Sequence, residues 1–256
     1  MGGFERYVAI GDSSTEGWDD PDGGGGFRGW ANRLAERIAR AQGGLLYANL
    51  GVRGKRTREI LDEQLVPALA MRPDLVTLFS GTNDIIARRF DPREVADDIE
   101  RMQRAIRARG ATLLTFTLPD LTPVMPAARF LAPRRAALNE SVRRISASTG
   151  TLLVDFAAYP VASDPRLWSD DRLHANALGH TRIAAALADA LGLPGADKSW
   201  ADPLPPRARG RALRLRAEVA WTRRHLLPWA LRHLRGNPGM AAHRPKRPTL
   251  QPVTPA

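Results

Sequence analysis

Five short apolar segments alternate with longer segments of helical spacing through residue 191, and this alternation most constrains the fold. Apolar runs bounded by glycine or polar residues are typical of buried strands. Crossovers long enough to hold a helix force parallel pairing with right-handed connections. The pattern therefore predicts an α/β fold, a three-layer α/β/α sandwich with a five-stranded parallel sheet. The predicted strands cover residues 6–11, 45–50, 74–79, 111–118 and 151–156.

The segments between the strands carry start and stop signals for helices. Thr57 and Asp91 are expected to cap helices at their N-termini, and Gly110 and Gly150 are expected to end helices. These signals place one helix after each predicted strand. The predicted helices cover residues 29–40, 58–69, 92–110, 133–149 and 178–191.

Composition excludes several classes of protein. The chain has no cysteine, so disulfides, thiolate catalysis and cysteine-based zinc sites are ruled out. Its first residues, MGGFERYVAIGDSS, lack the pattern of a secretory leader. No apolar run approaches the ~18 residues of a membrane span. We therefore expect a cytoplasmic location.

Charge divides the chain into two parts. Residues 196–256 carry 13 basic and three acidic side chains, a net charge of +10, which leaves +1 for residues 1–195. We predict a catalytic domain over residues 1–195 and a basic, Pro-rich C-terminal extension over residues 196–256. Within the extension, residues 207–235 have the spacing of an amphipathic helix. The last twenty residues are rich in proline, and we expect them to be disordered.

The basic extension has three interpretations. Its amphipathic helix packs its apolar stripe on the catalytic domain, which is the usual role of such helices and the one we favour. It could instead contact a membrane peripherally, since a basic amphipathic helix with tryptophan suits anionic lipid. A contact with an acidic partner is the third interpretation. Because the sequence has no base-reading motif, we expect no specific nucleic-acid partner.

Residues suited to nucleophilic catalysis follow the predicted strand ends, where open parallel sheets place their active sites. Ser13 follows the first strand, and a serine hydroxyl needs a neighbouring imidazole to remove its proton. His174 precedes the last helix, and Asp171 is close enough in sequence to orient its ring. A turn serine and a surface Asp–His pair remain alternatives.

Two residues after the second and third strands could donate hydrogen bonds to an oxyanion. Gly54 can expose its backbone N–H in a turn closed to bulkier residues, and Asn83 could direct its side-chain amide to the same point. An oxyanion requires two or three such fixed donors. Ordinary turn roles for both residues remain open.

Three further features receive structural interpretations. The acidic run over residues 18–22 lacks the spacing of a calcium-binding loop, so we predict a solvated loop at the mouth of the site and no metal. His180 is expected to pack or cap rather than to act as a second base. For Trp168, lining the pocket and packing in the core remain equal alternatives.

Four segments, in this order, resemble the signature blocks of the SGNH/GDSL hydrolases, a family of esterases and lipases. The resemblance covers about residues 5–190, and one departure is Ala175, where many members have proline. The segments are Gly11-Asp12-Ser13, Gly54, Gly81-Thr82-Asn83-Asp84 and Asp171-Arg172-Leu173-His174.

The resemblance implies a flavodoxin-like SGNH hydrolase fold and a Ser-His-Asp triad. It makes Ser13 the nucleophile, His174 the base and Asp171 its orienter. It also makes the backbone N–H groups of Ser13 and Gly54, with the side chain of Asn83, the oxyanion hole. It implies hydrolysis of a small-molecule carboxylic ester through an acyl-enzyme, with no cofactor. An acyltransferase or a carbohydrate O-deacetylase using the same triad is the alternative, and a silent binding protein is a third.

Overall fold

The apolar segments form the central sheet in a computed structural model, which describes residues 3–206, residue 221 and residues 243–253. Strands β1 to β4 are almost wholly buried, as expected for parallel strands covered by helices on both faces. The strands are β1 (Arg6–Gly11), β2 (Leu46–Asn49), β3 (Leu75–Phe79), β4 (Thr112–Phe116), β5 (Leu152–Val154) and β6 (Arg247–Pro252).

The helices of the described chain lie on both faces of this sheet. Asp91 accepts hydrogen bonds from two backbone N–H groups and so caps its helix as predicted, and Gly150 ends another in the left-handed conformation. The helices are α1 (Ser13–Glu16), α2 (Gly29–Gln42), α3 (Thr57–Ala70), α4 (Thr82–Ile86), α5 (Pro92–Arg107), α6 (Ala132–Thr149) and α7 (Ala177–Ala190).

Alternation along β1 shows how the three layers are built. Tyr7 and Ala9 point into the core under α2 and α7, whereas Val8 and Ile10 point into the core under α3 and α5. Successive strand residues face opposite sides, so both helical layers pack on the same strand. Helix α6 packs beside α5 through a third apolar cluster. The predicted α/β/α sandwich is confirmed.

Sheet order places the site. The strands are ordered β5-β4-β3-β1-β2-β6, and β1 pairs in parallel with both β2 and β3. The chain therefore reverses its direction of winding at β1. Open α/β sheets hold their ligands outside the carboxyl ends of strands at such a point. Ser13 follows β1 directly, so it lies where this topology opens a crevice.

A sixth strand differs from the predicted five. Strand β6 pairs antiparallel with β2, with Leu46 opposite Pro252 and Asn49 opposite Arg247. The predicted disorder of the chain end is therefore wrong for residues 247–252. Proline is tolerated at the edge of a sheet, where its missing N–H costs no ladder hydrogen bond, so the Pro-rich composition did not exclude a strand.

Two described parts of the predicted extension pack against the catalytic domain. Trp200 is buried in the apolar core under α7, and β6 extends the sheet. Apart from residue 221, the predicted amphipathic helix over residues 207–235 lies outside the described residues. Among the helices that the structure describes, none is long and apolar enough to cross a membrane.

Candidate active site

The turn after β1 holds Ser13 in one position. Gly11 has a φ of 153°, and a Cβ there would lie 2.4 Å from the Phe79 carbonyl oxygen, so only glycine fits. Asp12 then caps α1, its Oδ1 accepting a hydrogen bond from the Ser14 N–H at 2.9 Å. Ser13 is therefore the first residue of a capped helix and lies beside the end of β3.

His174 and Asp171 share a loop held by the Asp171 carboxylate. Asp171 Oδ1 accepts hydrogen bonds from Ser169 Oγ at 2.7 Å and from the backbone N–H groups of Leu173 and His174 at 2.9 Å. Arg172, between them, adopts a left-handed φ of 63°. These bonds close a tight turn and leave Asp171 Oδ2 directed at the imidazole.

The structure brings Ser13, His174 and Asp171 into one hydrogen-bonded chain. His174 Nδ1 lies 2.6 Å from Asp171 Oδ2, and His174 Nε2 lies 2.8 Å from Ser13 Oγ. An ionised carboxylate only accepts hydrogen bonds, so Nδ1 carries the proton and Nε2 is free to accept from the serine hydroxyl. Residues 161 positions apart thus meet as a nucleophile and a base would.

Electrostatics reinforces this assignment of protons. Burial alone would raise the pKa of Asp171, but hydrogen bonds from His174 and Ser169 outweigh burial and hold that pKa well below its usual range. Burial alone would lower the pKa of His174, but the Asp171 carboxylate outweighs it and raises that pKa. The pair therefore favours an ionised Asp171 and an imidazole of increased basicity.

Gly54 and Asn83 line the same cavity as Ser13. Gly54 has a φ of 79°, a conformation that suits glycine. Asn83 lies in the first turn of α4, and its Nδ2 donates to the Lys55 carbonyl at 2.9 Å. An amide nitrogen carries two N–H groups, so this bond fixes the orientation of the amide and leaves one N–H for another acceptor.

Asp84 connects the segment that carries Gly54 with the helix that carries Asn83. Its Oδ2 accepts from both the backbone N–H and the hydroxyl of Thr57, at 3.0 and 2.8 Å. Thr57 was predicted to cap α3, but it is instead the first residue of that helix, after Arg56. The Thr57–Asp84 contact holds the start of α3 against α4, and with it the loop that carries Gly54.

The acidic run after α1 is less solvated than predicted. Asp20 is buried and forms a bidentate pair with Arg33, with both N–O distances at 2.8 Å. Trp18 stacks beneath the guanidinium of Arg53, 3.8 Å from its ring centroid, and its ring lies 6.3 Å from that of His174. The sequence predicted a loop at the mouth of the site but not the contact between Trp18 and Arg53, although both residues adjoin recognised motifs.

His180 has the packing role that its position suggested. It is buried, its Nδ1 accepts from the Trp30 N–H, and its Nε2 donates to the Trp18 carbonyl, both at 3.1 Å. Burial lowers its pKa, so a neutral ring with one donor and one acceptor fits both bonds. His180 therefore ties α2 and α7 to the loop around Trp18.

A cavity of about 840 Å³ opens beside Ser13, within the usual range for ligand sites. Trp168 lines this cavity, which was one of the two alternatives that its sequence position left open. Trp221, from the C-terminal extension, lines it too. The cavity wall is chiefly apolar and includes Phe79, Ile85, Ile86, Phe116, Leu118, Leu121, Met125, Phe130, Leu131, Phe156, Val161, Leu167, Leu173, Ile183 and Trp200.

One group of potential metal ligands occurs in the part of the chain that the structure describes. Asp19, Asp171 and His174 each offer a ligand atom, and these atoms lie within 4.8 Å of one another. Two ligands of a tetrahedral zinc ion, bound at about 2.0–2.1 Å, lie roughly 3.3 Å apart. Asp171 Oδ2 and His174 Nδ1 lie only 2.6 Å apart, so this pair suits a shared proton better than a metal.

One protein family covers most of this chain. The model of the GDSL-like lipase/acylhydrolase family matches residues 9–182, which is more than half of the chain and includes Ser13, Gly54, Asn83, Asp171 and His174. No curated protein matches the sequence.

Solved structures share the fold. An alpha/beta hydrolase from the metagenome of Lake Arreo, 23% identical, matches over 75% of this chain and 97% of its own with a TM-score of 0.63. An acetylxylan esterase from Geobacillus stearothermophilus, 19% identical, matches over 82% and 99% with a TM-score of 0.60. A lipase/acylhydrolase from Enterococcus faecalis, 22% identical, matches over 76% and 100% with a TM-score of 0.60. The family match decides the assignment: the chain belongs to the GDSL-like lipase/acylhydrolase family, a family of ester-hydrolysing enzymes.

Proposed function

We propose that this protein is a serine esterase that works through an acyl-enzyme formed on Ser13. The observation that carries the proposal is the continuous chain from Asp171 Oδ2 through both ring nitrogens of His174 to Ser13 Oγ, with spacings of 2.6 and 2.8 Å. Nucleophile and base within hydrogen-bond reach, with the base oriented by a third group, form the arrangement that activates a serine.

Acylation is the first half of the reaction. Ser13 Oγ bonds to the ester carbonyl carbon while its proton passes to His174 Nε2, and the carbonyl oxygen becomes an oxyanion. Asp171 stabilises the imidazolium formed. The carbon–oxygen bond to the alcohol then breaks, and the leaving alcohol takes the proton from Nε2.

Deacylation repeats these steps with water. His174 Nε2 takes a proton from the attacking water, whose oxygen bonds to the acyl carbon. The bond to Ser13 Oγ then breaks, the carboxylic acid leaves, and Nε2 returns its proton to Ser13. Every proton moved is held by this chain or by water, so the cycle needs no cofactor.

Charge on the oxyanion is stabilised in this proposal by three donors. They are the backbone N–H groups of Ser13 and Gly54 and the remaining amide N–H of Asn83. Because the hydrogen bond to the Lys55 carbonyl already fixes the amide, Asn83 needs little reorganisation when the oxyanion forms, and preorganised donors contribute most in a site poor in water.

The cavity favours an acyl group with a hydrocarbon chain. Its wall is mostly aliphatic and aromatic. Phe130, a large apolar side chain that is 72% exposed, is one of the residues that line it. A sugar ring needs many polar partners, and this wall offers few. The cavity therefore supports an esterase for apolar acyl groups over a carbohydrate O-deacetylase. An acyltransferase would use the same acyl-enzyme with another alcohol in place of water.

Covalent labelling with a fluorophosphonate probe tests the proposal. The wild-type protein should label at pH 8, and labelling should be lost in Ser13→Ala and in His174→Ala, because serine and base act as one unit. Ser14→Ala, which alters the neighbouring hydroxyl, is the matched control and should still label. A folded wild-type protein that does not label, or labelling that persists in Ser13→Ala, would overturn the proposal.

A further inference from the structure

Asp19 has an uncommon, left-handed backbone conformation. It lies between α1 and α2 with a φ of 65°, in the left-handed region that few non-glycine residues adopt. Strain of this kind persists only where the surroundings impose it, and it is concentrated at functional sites. An aspartate at this position therefore indicates a functional contribution from its carboxylate.

Neighbouring contacts hold the strained turn on both sides. The Trp18 N–H donates to the Ser13 carbonyl at 3.0 Å, and the Trp18 carbonyl accepts from His180 Nε2 at 3.1 Å. On the other side, the carboxylate of Asp20 is paired with Arg33. The backbone at Asp19 is therefore fixed by groups from α1, α2 and α7.

This turn directs the carboxylate of Asp19 at the catalytic loop. One of its oxygens lies within 4.8 Å of ligand atoms of both Asp171 and His174. In the described part of the chain, no hydrogen bond and no ion pair engages this carboxylate. A strained aspartate with no local partner, placed beside the base, is best explained by an effect on the base.

We propose that Asp19 is a positioning residue that acts through His174, its negative charge stabilising the imidazolium formed during each proton transfer. This inference rests on the proposed function. Asp19 acts through His174 rather than on the reacting atoms, so it adds electrostatic stabilisation to the orientation that Asp171 already supplies.

Other charged or titratable groups face His174, and their effects must be distinguished from that of Asp19. Asp171 is hydrogen-bonded to Nδ1, and Asp12 is buried below Ser13, where burial raises its pKa to about 7. His180 approaches from α7, and Arg53 lies across Trp18. Asp19 is half-buried, and of these carboxylates it is the one whose removal leaves every hydrogen bond described above in place. Its charge is also one of the causes that raise the pKa of His174.

The dependence of kcat/KM on pH tests the inference with Asp19→Asn. Asparagine has nearly the same shape and tolerates the left-handed conformation, so the fold is retained. Without the negative charge the imidazolium is less stable, so the acid limb should move to lower pH, while the plateau should fall because the transition state loses stabilisation. The two profiles should therefore converge on the acid limb and separate on the plateau. Asp97→Asn, exposed on α5, makes the same change in net charge and should leave the profile unchanged.

Salt provides a second readout. Because Asp19 is partly exposed, 1 M NaCl should shift the acid limb of the wild-type protein toward that of Asp19→Asn and shift the variant less. A variant profile that superimposes on that of the wild type, or that is lower by the same factor at every pH, would overturn the inference. Fluorophosphonate labelling of Ser13 separates the two proposals, since it tests the esterase without depending on Asp19.

Discussion

At the scale of single residues, Asn83 is the clearest test of how the oxyanion is held. Asn83→Ala removes one donor while leaving Ser13 and His174 in contact, so kcat should fall about 100- to 1000-fold with little change in KM. Hydrolysis of a soluble ester at pH 8 measures both constants. Asn139→Ala is the control, because it removes a buried amide that bonds to the backbone at Leu118 and should affect stability rather than kcat. A near-normal kcat in Asn83→Ala would exclude that residue from the oxyanion hole.

Single residues also show what a sequence can reveal about a site. Ser13, Gly54, Asn83 and His174 could be predicted to lie together because each follows a strand or precedes a helix, and parallel strands carry their ends to one edge. Asp19 could not. Its place beside His174 depends on a left-handed backbone imposed by contacts with α2 and α7, and no local pattern encodes contacts between residues so far apart.

At the scale of elements, β6 brings Lys246 against the entrance to α2. Lys246 Nζ donates to the carbonyl oxygens of Phe27 and Arg28 at 2.7 and 2.9 Å, and the Phe27 ring lies 4.9 Å from that of Trp18. The end of the chain thus supports the aromatic wall of the active site. Strands β2 and β6 pair although about 200 residues separate them in the chain. Local sequence patterns do not predict such long-range pairing, so β6 was not predicted.

Lys246 should give β6 a pH-dependent stability. Burial lowers its pKa to about 8 from an ordinary 10.5. Between these values the unfolded chain binds more protons than the folded one, so the free energy of unfolding rises with pH. Urea unfolding should therefore show that the stability of wild type relative to Lys246→Met increases from pH 8 to pH 10.5 and is constant below pH 8. Lys198→Met, at an exposed lysine, should show no such trend relative to wild type. A constant difference for Lys246→Met would contradict the prediction.

At the scale of the whole molecule, the wall of the active site includes a residue that lies beyond the segment matched by the family model. The family match ends at residue 182, yet Trp221 lines the cavity, its Nε1 donating to the Asp170 carbonyl at 2.8 Å. The Arg172 guanidinium lies 4.3 Å from its ring centroid. The sandwich and its strand-end site were predictable from periodicity, whereas this contribution was not, because Trp221 reaches the site through tertiary contacts.

Trp221→Ala should weaken the preference for long acyl chains. Each methylene that loses apolar cover should cost about fourfold in kcat/KM, whereas an acetyl ester, which does not reach the ring, should be hydrolysed as by the wild type. Values of kcat/KM for p-nitrophenyl esters from acetyl to dodecanoyl measure this slope. Val66→Ala, at a valine 70% exposed on α3 and not on the cavity wall, should leave the slope unchanged. An equal loss for every ester would assign Trp221 a purely structural role.

The pairing of β6 with β2 also affects how the protein behaves at high concentration. Without β6, the outer edge of β2 would present a row of unpaired backbone N–H and C=O groups, and Leu46 and Tyr47 would lie along it. Such an edge is a template for strands of other molecules, and proteins commonly cover it or interrupt it with proline. Strand β6 does both, since it occupies the edge and itself includes Pro248 and Pro252. Strand β6 therefore protects the edge of β2 from aggregation. A shortened enzyme that ends after α7 would lose this protection while keeping every catalytic group.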